Sequence, residues 1–181
     1  MQTKYHTAFI GLGSNLGDGK QILVSAWKRL GEEESVSLTL ISSPFLSDPV
    51  DMDSDNRFTN CVGRIETTLS PRDLLTKLLT IEEEFGRIRS HPAGESEDRS
   101  LDLDLLYFSK ILIHEDGLVV PHPRVSKRLF TLVPMVEIEP TYVDPLTQQT
   151  VVSMCKHFYA QMRDGKIKEQ KIERSAWKGR L

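Results

Sequence analysis

Arg99-Ser-Leu-Asp-Leu-Asp-Leu-Leu-Tyr-Phe108 is the stretch on which the fold turns. Leu101, Leu103 and Leu105 alternate with Asp102 and Asp104, the period of a β-strand that buries one side. Both carboxylates therefore leave the same face, ~6.5–7 Å apart. Two acids on so apolar a strand cost free energy unless positive charge compensates them. Arg99 lies just upstream, and Arg87 and Arg89 come a little before it. Close-set carboxylates among arginines suit magnesium carrying a polyphosphate, the acids holding the metal and the guanidiniums the phosphate oxygens. The plain alternative is a solvated face on an edge strand; the surrounding leucines and the nearby arginine favour the metal. Two carboxylates so spaced suit two ions ~3.5–4 Å apart, clamping a phosphoryl centre.

Upstream, Thr7–Leu12 is short, apolar and β-branched, and runs into Gly11-Leu-Gly-Ser-Asn-Leu-Gly17. That is a first strand and a glycine-rich turn. The turn lacks the Gly-Lys-Ser/Thr ending of a P-loop, and its glycines miss the dinucleotide spacing. Asp18 suits a helix cap, and Ile22, Ala26 and Leu30 recur at helical spacing up to Gly31. Val36–Phe45 reads as a second strand and Phe58–Glu66 as a third, with an acidic, aperiodic loop, Asp48–Arg57, between them. Ser70-Pro71-Arg72-Asp73 opens a second helix with a capping serine, an early proline and an acid three residues on. Leu74, Leu78, Ile81 and Phe85 line its buried face, and Gly86 ends it. Ser90–Asp98 reads as a mobile loop before the Asp-Leu-Asp strand.

The order is strand, helix, strand, strand, helix, strand, which predicts an α+β fold of ferredoxin-like split-βαβ type. Its sheet is mainly antiparallel with helices packed on it, and C-terminal additions complete three α-β-α layers. Ile111–Ile113 and Leu118–Val120 suggest short flanking strands. Pro121-His122-Pro123 opens a helical segment through Glu137, interrupted at Pro134. Gly165–Leu181 is highly charged with little period, a frayed helix or a tail. Residues 1–160 are expected to form one domain and 161–181 a charged extension.

The chain has 181 residues, enough for one core, with 39% hydrophobic and 27% charged residues. A net charge of −3 argues against a general basic field for nucleic acid. Cys61 and Cys155 are far apart and read as reduced packing thiols. No apolar run reaches membrane-span length, and Met1–Thr7 lacks an apolar signal core, so the expected setting is cytoplasmic and membrane-free.

Beyond the acid pair, Arg99 points to phosphate, whereas Arg87 reads equally well as charge favoured at a helix C-terminus. His122 is followed by Arg124, Lys127 and Arg128, a second basic edge. Phe58 and Asn60 sit two apart on one strand and share a face; Phe130 is a candidate for the same pocket. A flat heterocycle between two rings, its edge read by an amide, is the sharper reading of these residues; ordinary core packing is the plain one. Two other classes stay open on these residues: another magnesium enzyme acting on phosphate esters, and an RNA-binding sheet with exposed aromatics.

As an ordered set, five segments resemble the 6-hydroxymethyl-7,8-dihydropterin pyrophosphokinase family. They are Gly11–Gly17, Phe58-Thr59-Asn60, Glu82 through Arg87-Ile88-Arg89, Arg99 through Leu106, and Val120-Pro121-His122-Pro123 through Arg128-Leu129-Phe130. The resemblance implies transfer of the β,γ-pyrophosphoryl unit of ATP to the pterin hydroxymethyl group, with release of AMP. It implies that Asp102 and Asp104 bind two magnesium ions, with Arg87, Arg99 and Asp102 as catalytic residues. Glu82, Arg89, Arg99, Leu105, His122 and Arg128 would bind ATP, Leu105 through its backbone to adenine. Phe58 and Phe130 would stack on the pterin, with Asn60 and the backbone near Ser47, Pro49 and Val50 reading its edges. A monomer is expected. Two departures from the family pattern stand out. Ser96-Glu97-Asp98-Arg99 replaces a common Trp-Gly-Pro-Arg run, and Phe58 stands where relatives often carry tyrosine.

Overall fold

The central strand of the sheet owes its place to sequence: Ala8, Phe9, Ile10 and Leu12 are all buried, as only a strand covered on both faces permits. The computed structural model describes residues 4–52, 54–87 and 97–179. This strand, β1 (His6–Ser14), pairs antiparallel with β4 (Phe58–Thr67) on one side and β5 (Asp102–Phe108) on the other. On β4's far edge lie β2 (Val36–Ile41) and β3 (Phe45–Ser47), and β8 (Ile172–Arg174) pairs with β3. The order β5-β1-β4-β3-β8 is the expected ferredoxin-like sheet with one added strand, every pairing antiparallel.

One layer holds α1 (Gly19–Gly31) and α2 (Pro71–Glu84). Asp18 caps α1 by accepting from Gln21 N, and Ser70 caps α2 by accepting from Asp73 N, as the sequence suggests. Leu23, Ala26, Trp27 and Leu30 of α1 and Leu74, Leu78 and Ile81 of α2 join Ile10, Leu12 and Leu103 in one core. Each leucine so buried contributes ~1.5–3 kcal/mol against exposure. The other layer holds α3 (Leu129–Ile138) and α4 (Val151–Arg163), which cover Phe9, Val62, Leu106 and Tyr107.

The leucine-rich strand serves both cores through a bulge. Phe9 faces Tyr107 while Ile10 faces Leu105, so Leu106 is an extra residue. Leu105 and Phe108 enter the first core, and Leu106 and Tyr107 both enter the second. The alternation begun at Leu101 therefore stops at Leu105, which is why the sequence ends in an unbroken apolar run.

Four expectations need correction. Val36–Phe45 is two strands, not one. The chain steps at Ser42, whose N–H donates to Val62 O at 2.9 Å while its hydroxyl accepts from Val62 N at 3.0 Å. Pro44, which has no N–H, follows. The segment from Pro121 is a turn with a 3-10 turn at Val125–Lys127, and α3 starts only at Leu129. Pro134 lies inside α3 without ending it; the helix tolerates one missing hydrogen bond because Leu129, Leu132 and Met135 are fully buried. Within the charged C-terminal segment, Ile172–Arg174 is a strand, β8, where a frayed helix or tail was expected. Helix α4, capped by Thr150, carries Val151, Met154, Cys155 and Phe158 on one face and escaped the sequence reading. Of the two suggested flanking strands, β7 (Leu118–Val120) is as read; its partner β6 is Ile113–Glu115, shifted past Ile111 and Leu112.

Candidate active site

Register puts the two acids over a floor without side chains. Asp102 faces Gly13 and Asp104 faces Gly11 across β1, and on β4 Gly13 faces Asn60 and Gly11 faces Val62. Directly paired residues share a face, so the carboxylates and the Asn60 amide flank a glycine strip. A Cβ on Gly13 would stand 3.0 Å from Asn60 Oδ1. A small cavity of about 20 Å³ is lined by Gly11, Gly13, Asn60, Asp102, Asp104 and Phe130, among others.

Arginines frame this floor. Arg87 Nη1 donates to Asp102 Oδ1 and to Glu82 Oε1. Arg99 Nη2 donates to Asp102 Oδ2 at 2.8 Å. Both oxygens of Asp102 are thus taken. Asp104 differs: His122 Nε2 stands 3.7 Å from Oδ1 and Arg128 Nη1 3.9 Å from Oδ2, beyond hydrogen-bond range. Arg99 and Arg128 each bury a guanidinium Nε–H that has no partner. Those guanidiniums lie over rings: Arg99 is 5.3 Å from the centre of Phe58, and Arg128 is 5.2 Å from that of Phe130. Asn60 Nδ2 donates to Ser47 Oγ at 3.0 Å.

The chain matches the family described as 7,8-dihydro-6-hydroxymethylpterin-pyrophosphokinase over residues 9–140. The chain belongs to this family. It is accordingly a pyrophosphokinase of folate biosynthesis, an ATP-dependent transferase. It is 40% identical over 131 residues to the Bacillus subtilis 2-amino-4-hydroxy-6-hydroxymethyldihydropteridine pyrophosphokinase, covering 72% of this chain and 77% of the relative. The Haemophilus influenzae enzyme of the same name is 37% identical, with 84% and 92% covered. Among solved structures, the wild-type HPPK-DHPS of Plasmodium falciparum superposes with a TM-score of 0.73 at 13% identity. That likeness shows the fold; it covers 90% of this chain and 46% of the longer one.

In this pyrophosphokinase the two acids titrate differently. Burial pushes Asp102 up, but the Arg99 and Arg87 guanidiniums outweigh it and hold the carboxyl below its ordinary value. Asp104 is raised by burial and by the neighbouring Asp102 charge, which His122 and Arg128 do not offset. Burial lowers His122 despite the pull of Asp104. Arg87 is raised: burial opposes its charge, but Asp102 and Glu82 prevail.

Of the residues expected at the site, Asp102, Asp104, Arg87, Arg99, His122, Arg128, Asn60 and Phe130 converge on this face. Glu82 is almost fully buried, and its Oε1 accepts Leu103 N at 2.7 Å as well as Arg87. It stands behind Asp102 and ties α2 to β5. Leu105 sends its side chain into the first core, leaving only backbone to a ligand. Phe58 and Ser47 pair across β4 and β3. Pro49 and Val50 are not at the acid floor; they line a separate cavity of about 530 Å³ with Lys127, Phe158 and Gln170. Arg89 and most of the Ser90–Asp98 loop lie outside the described residues.

Sequence reasoning missed Asn15 and Asp98. Asn15 Oδ1 accepts Arg99 N at 2.7 Å, and Asn15 N donates to Arg99 O at 3.1 Å, so both backbone groups of Arg99 are fixed. Asp98 accepts from Asn15, Ser54 and Asn56, each at 2.6 Å, tying Ser54 and Asn56 to the residue that follows β1. The signal available was the Ser-Asn pair inside the glycine-rich turn, which had drawn notice for its glycines.

Proposed function

We propose that this chain moves the β,γ-pyrophosphoryl unit of ATP to the hydroxymethyl oxygen of 6-hydroxymethyl-7,8-dihydropterin, releasing AMP, on the face formed by Asp102, Asp104 and Asn60. The observation that carries the assignment is the glycine floor flanked by two carboxylates and an amide and ringed by arginines.

The donor set fits magnesium. Among the described residues no group of three or more His, Cys, Asp or Glu side chains encloses an ion. Two carboxylates on one strand are what magnesium takes when substrate phosphates and water complete its shell. Asp104, half-buried and without a hydrogen bond from either neighbouring cation, is the better-prepared ligand; Asp102 must release a guanidinium contact to serve. Two ions bound there would neutralise and orient the triphosphate.

The chain's own groups account for the remainder. Arg99 and Arg128, with unused N–H donors, bind phosphate oxygens and stabilise the charge that develops as the bond between the α- and β-phosphates breaks. Arg87 holds Asp102 and adds to the same field. His122, neutral because of burial, offers an N–H beside Asp104 rather than a second full charge. Phe58 and Phe130 exchange their guanidinium contacts for the pterin ring, and Asn60, fixed by Ser47, reads its edge. The hydroxyl oxygen then attacks the β-phosphorus. Such transfer needs positioning and neutralisation more than a strong base.

The deciding assay is AMP release from ATP with and without the pterin. AMP that appears only with 6-hydroxymethyl-7,8-dihydropterin and magnesium supports the assignment; release without pterin makes the chain a different phosphate enzyme. In the same assay Arg99→Ala should lower kcat by ~10²-fold or more. A change within a few-fold would reduce Arg99 to a structural ion pair.

A further inference from the structure

The segment after α4 lies beyond the matched residues 9–140, yet it touches two elements that frame the site. Gln170 Oε1 accepts from Leu129 N at 2.9 Å, and its Nε2 donates to Lys127 O at 3.0 Å. One amide thus fixes peptide groups on both sides of Arg128. Leu129 N is the first N–H of α3, a group that helix geometry leaves without a partner. Arg128, the residue at the cap position, makes no side-chain capping bond. Gln170 supplies the missing cap from 41 residues away.

The segment is itself held firmly. Ile172 pairs with Ser47 in the β8–β3 ladder, and Ser175 N donates to Pro44 O at 2.8 Å. Arg174 meets Glu137 of α3 at 3.2 Å, and Trp177 Nε1 donates to Ser42 O at 3.0 Å. A Gln170 side chain standing two residues before such a strand has little freedom to drift.

Arg128 needs an outside support. It is buried, its Nε–H is unpartnered, and its nearest acid, Asp104, is 3.9 Å away. Its guanidinium is located by the face of Phe130, 5.2 Å from the ring centre, and by the more distant Asp104, neither of which is a directional hydrogen bond. We propose that Gln170 is a positioning residue for the transfer reaction, setting the backbone from which Arg128 reaches the nucleotide phosphates. This rests on the role given to Arg128 above.

Gln170→Leu keeps the bulk and removes both hydrogen bonds. Affinity for a non-hydrolysable magnesium–ATP analogue, read by calorimetry, should fall ~3- to 10-fold, the size of lost neutral hydrogen bonds. The kcat of pterin-dependent AMP release should fall with it, while KM for pterin stays unchanged. Both losses should vanish when Gln170→Leu is made in an Arg128→Ala background, because coupled residues are not additive. Losses of equal size in both backgrounds, or no loss of analogue affinity, overturn the proposal. Wild-type AMP release is read separately: its absence would sink the assigned reaction while the analogue titration still judges Gln170.

Discussion

Asp102 and Asp104 sit two residues apart and meet opposite fates, which makes them a test of how environment sets charge. Asp102 has a guanidinium on each oxygen; Asp104 has only distant cations and a like charge beside it. Asp102→Asn should therefore cost about 1–3 kcal/mol of stability, since it takes the carboxylate from Arg99 and leaves Arg87 with Glu82 alone. Asp104→Asn should abolish turnover yet unfold at or above the wild-type temperature at pH 7, because it removes a half-buried charge that its neighbours compensate poorly. The pH dependence follows the direction of each shift. The depressed Asp102 carboxyl stabilises the fold above pH ~3.9 and loses that contribution as pH falls through its lower folded value. The raised Asp104 carboxyl favours the folded chain in acid, and this contribution is lost as pH rises through the raised value. The difference in Tm between Asp104→Asn and wild type should thus grow from pH 4 to pH 7. A constant or shrinking difference would mean that Asp104 is well compensated after all.

Elements were legible where one period ran uninterrupted, and obscure where two structural demands met. Helices α1 and α2 could be read to their caps because each buries a single face and starts at a side chain that satisfies its own orphan N–H groups. The acid strand was legible through Leu105 and then ambiguous, since the bulge lets Leu106 and Tyr107 enter the same core. The break at Ser42 left no periodic trace, because its hydroxyl replaces a ladder partner only in three dimensions. The acids, Arg99 and Asn60 could be found from spacing alone; Asn15 and Asp98 could not, because their partners lie 42 to 84 residues away. Close packing between elements was equally silent. Gly63 of β4 lies under Trp27 of α1, where an added Cβ would meet the ring at 2.2 Å. Gly63→Ala should cost ~1–3 kcal/mol, the range for overpacking a filled core, read as a lower urea midpoint at unchanged slope. An unshifted midpoint would show that Trp27 moves aside freely.

At the scale of the whole molecule, the C-terminal segment closes the sheet rather than trailing from it. Helix α4 runs to Arg163, and β8 returns to the sheet nine residues later. High charge hid this: Glu173 and Arg174 are exposed on a three-residue edge strand that follows Lys168, Glu169 and Lys171, and charge is also how edges avoid pairing with other chains. The anchor is Trp177, half-buried against the α1–α2 core, while Lys178 Nζ reaches Asp18 Oδ2 at 2.8 Å beside the α1 cap. The strap therefore joins both layers, α3 through Arg174 and α1 through Trp177 and Lys178. Removing its apolar anchor should be felt globally. Trp177→Ala should lower unfolding free energy by roughly 2 kcal/mol, less than the 3–5 of a fully buried tryptophan because Trp177 is only partly buried. Amide exchange should accelerate at Phe45–Ser47, which would lose the support of β8, and remain slow at Ala8–Leu12 in the centre of the sheet. Unchanged protection at β3 would mean that β8 stays paired without Trp177, and that the ladder and the Arg174–Glu137 bridge hold the strap unaided.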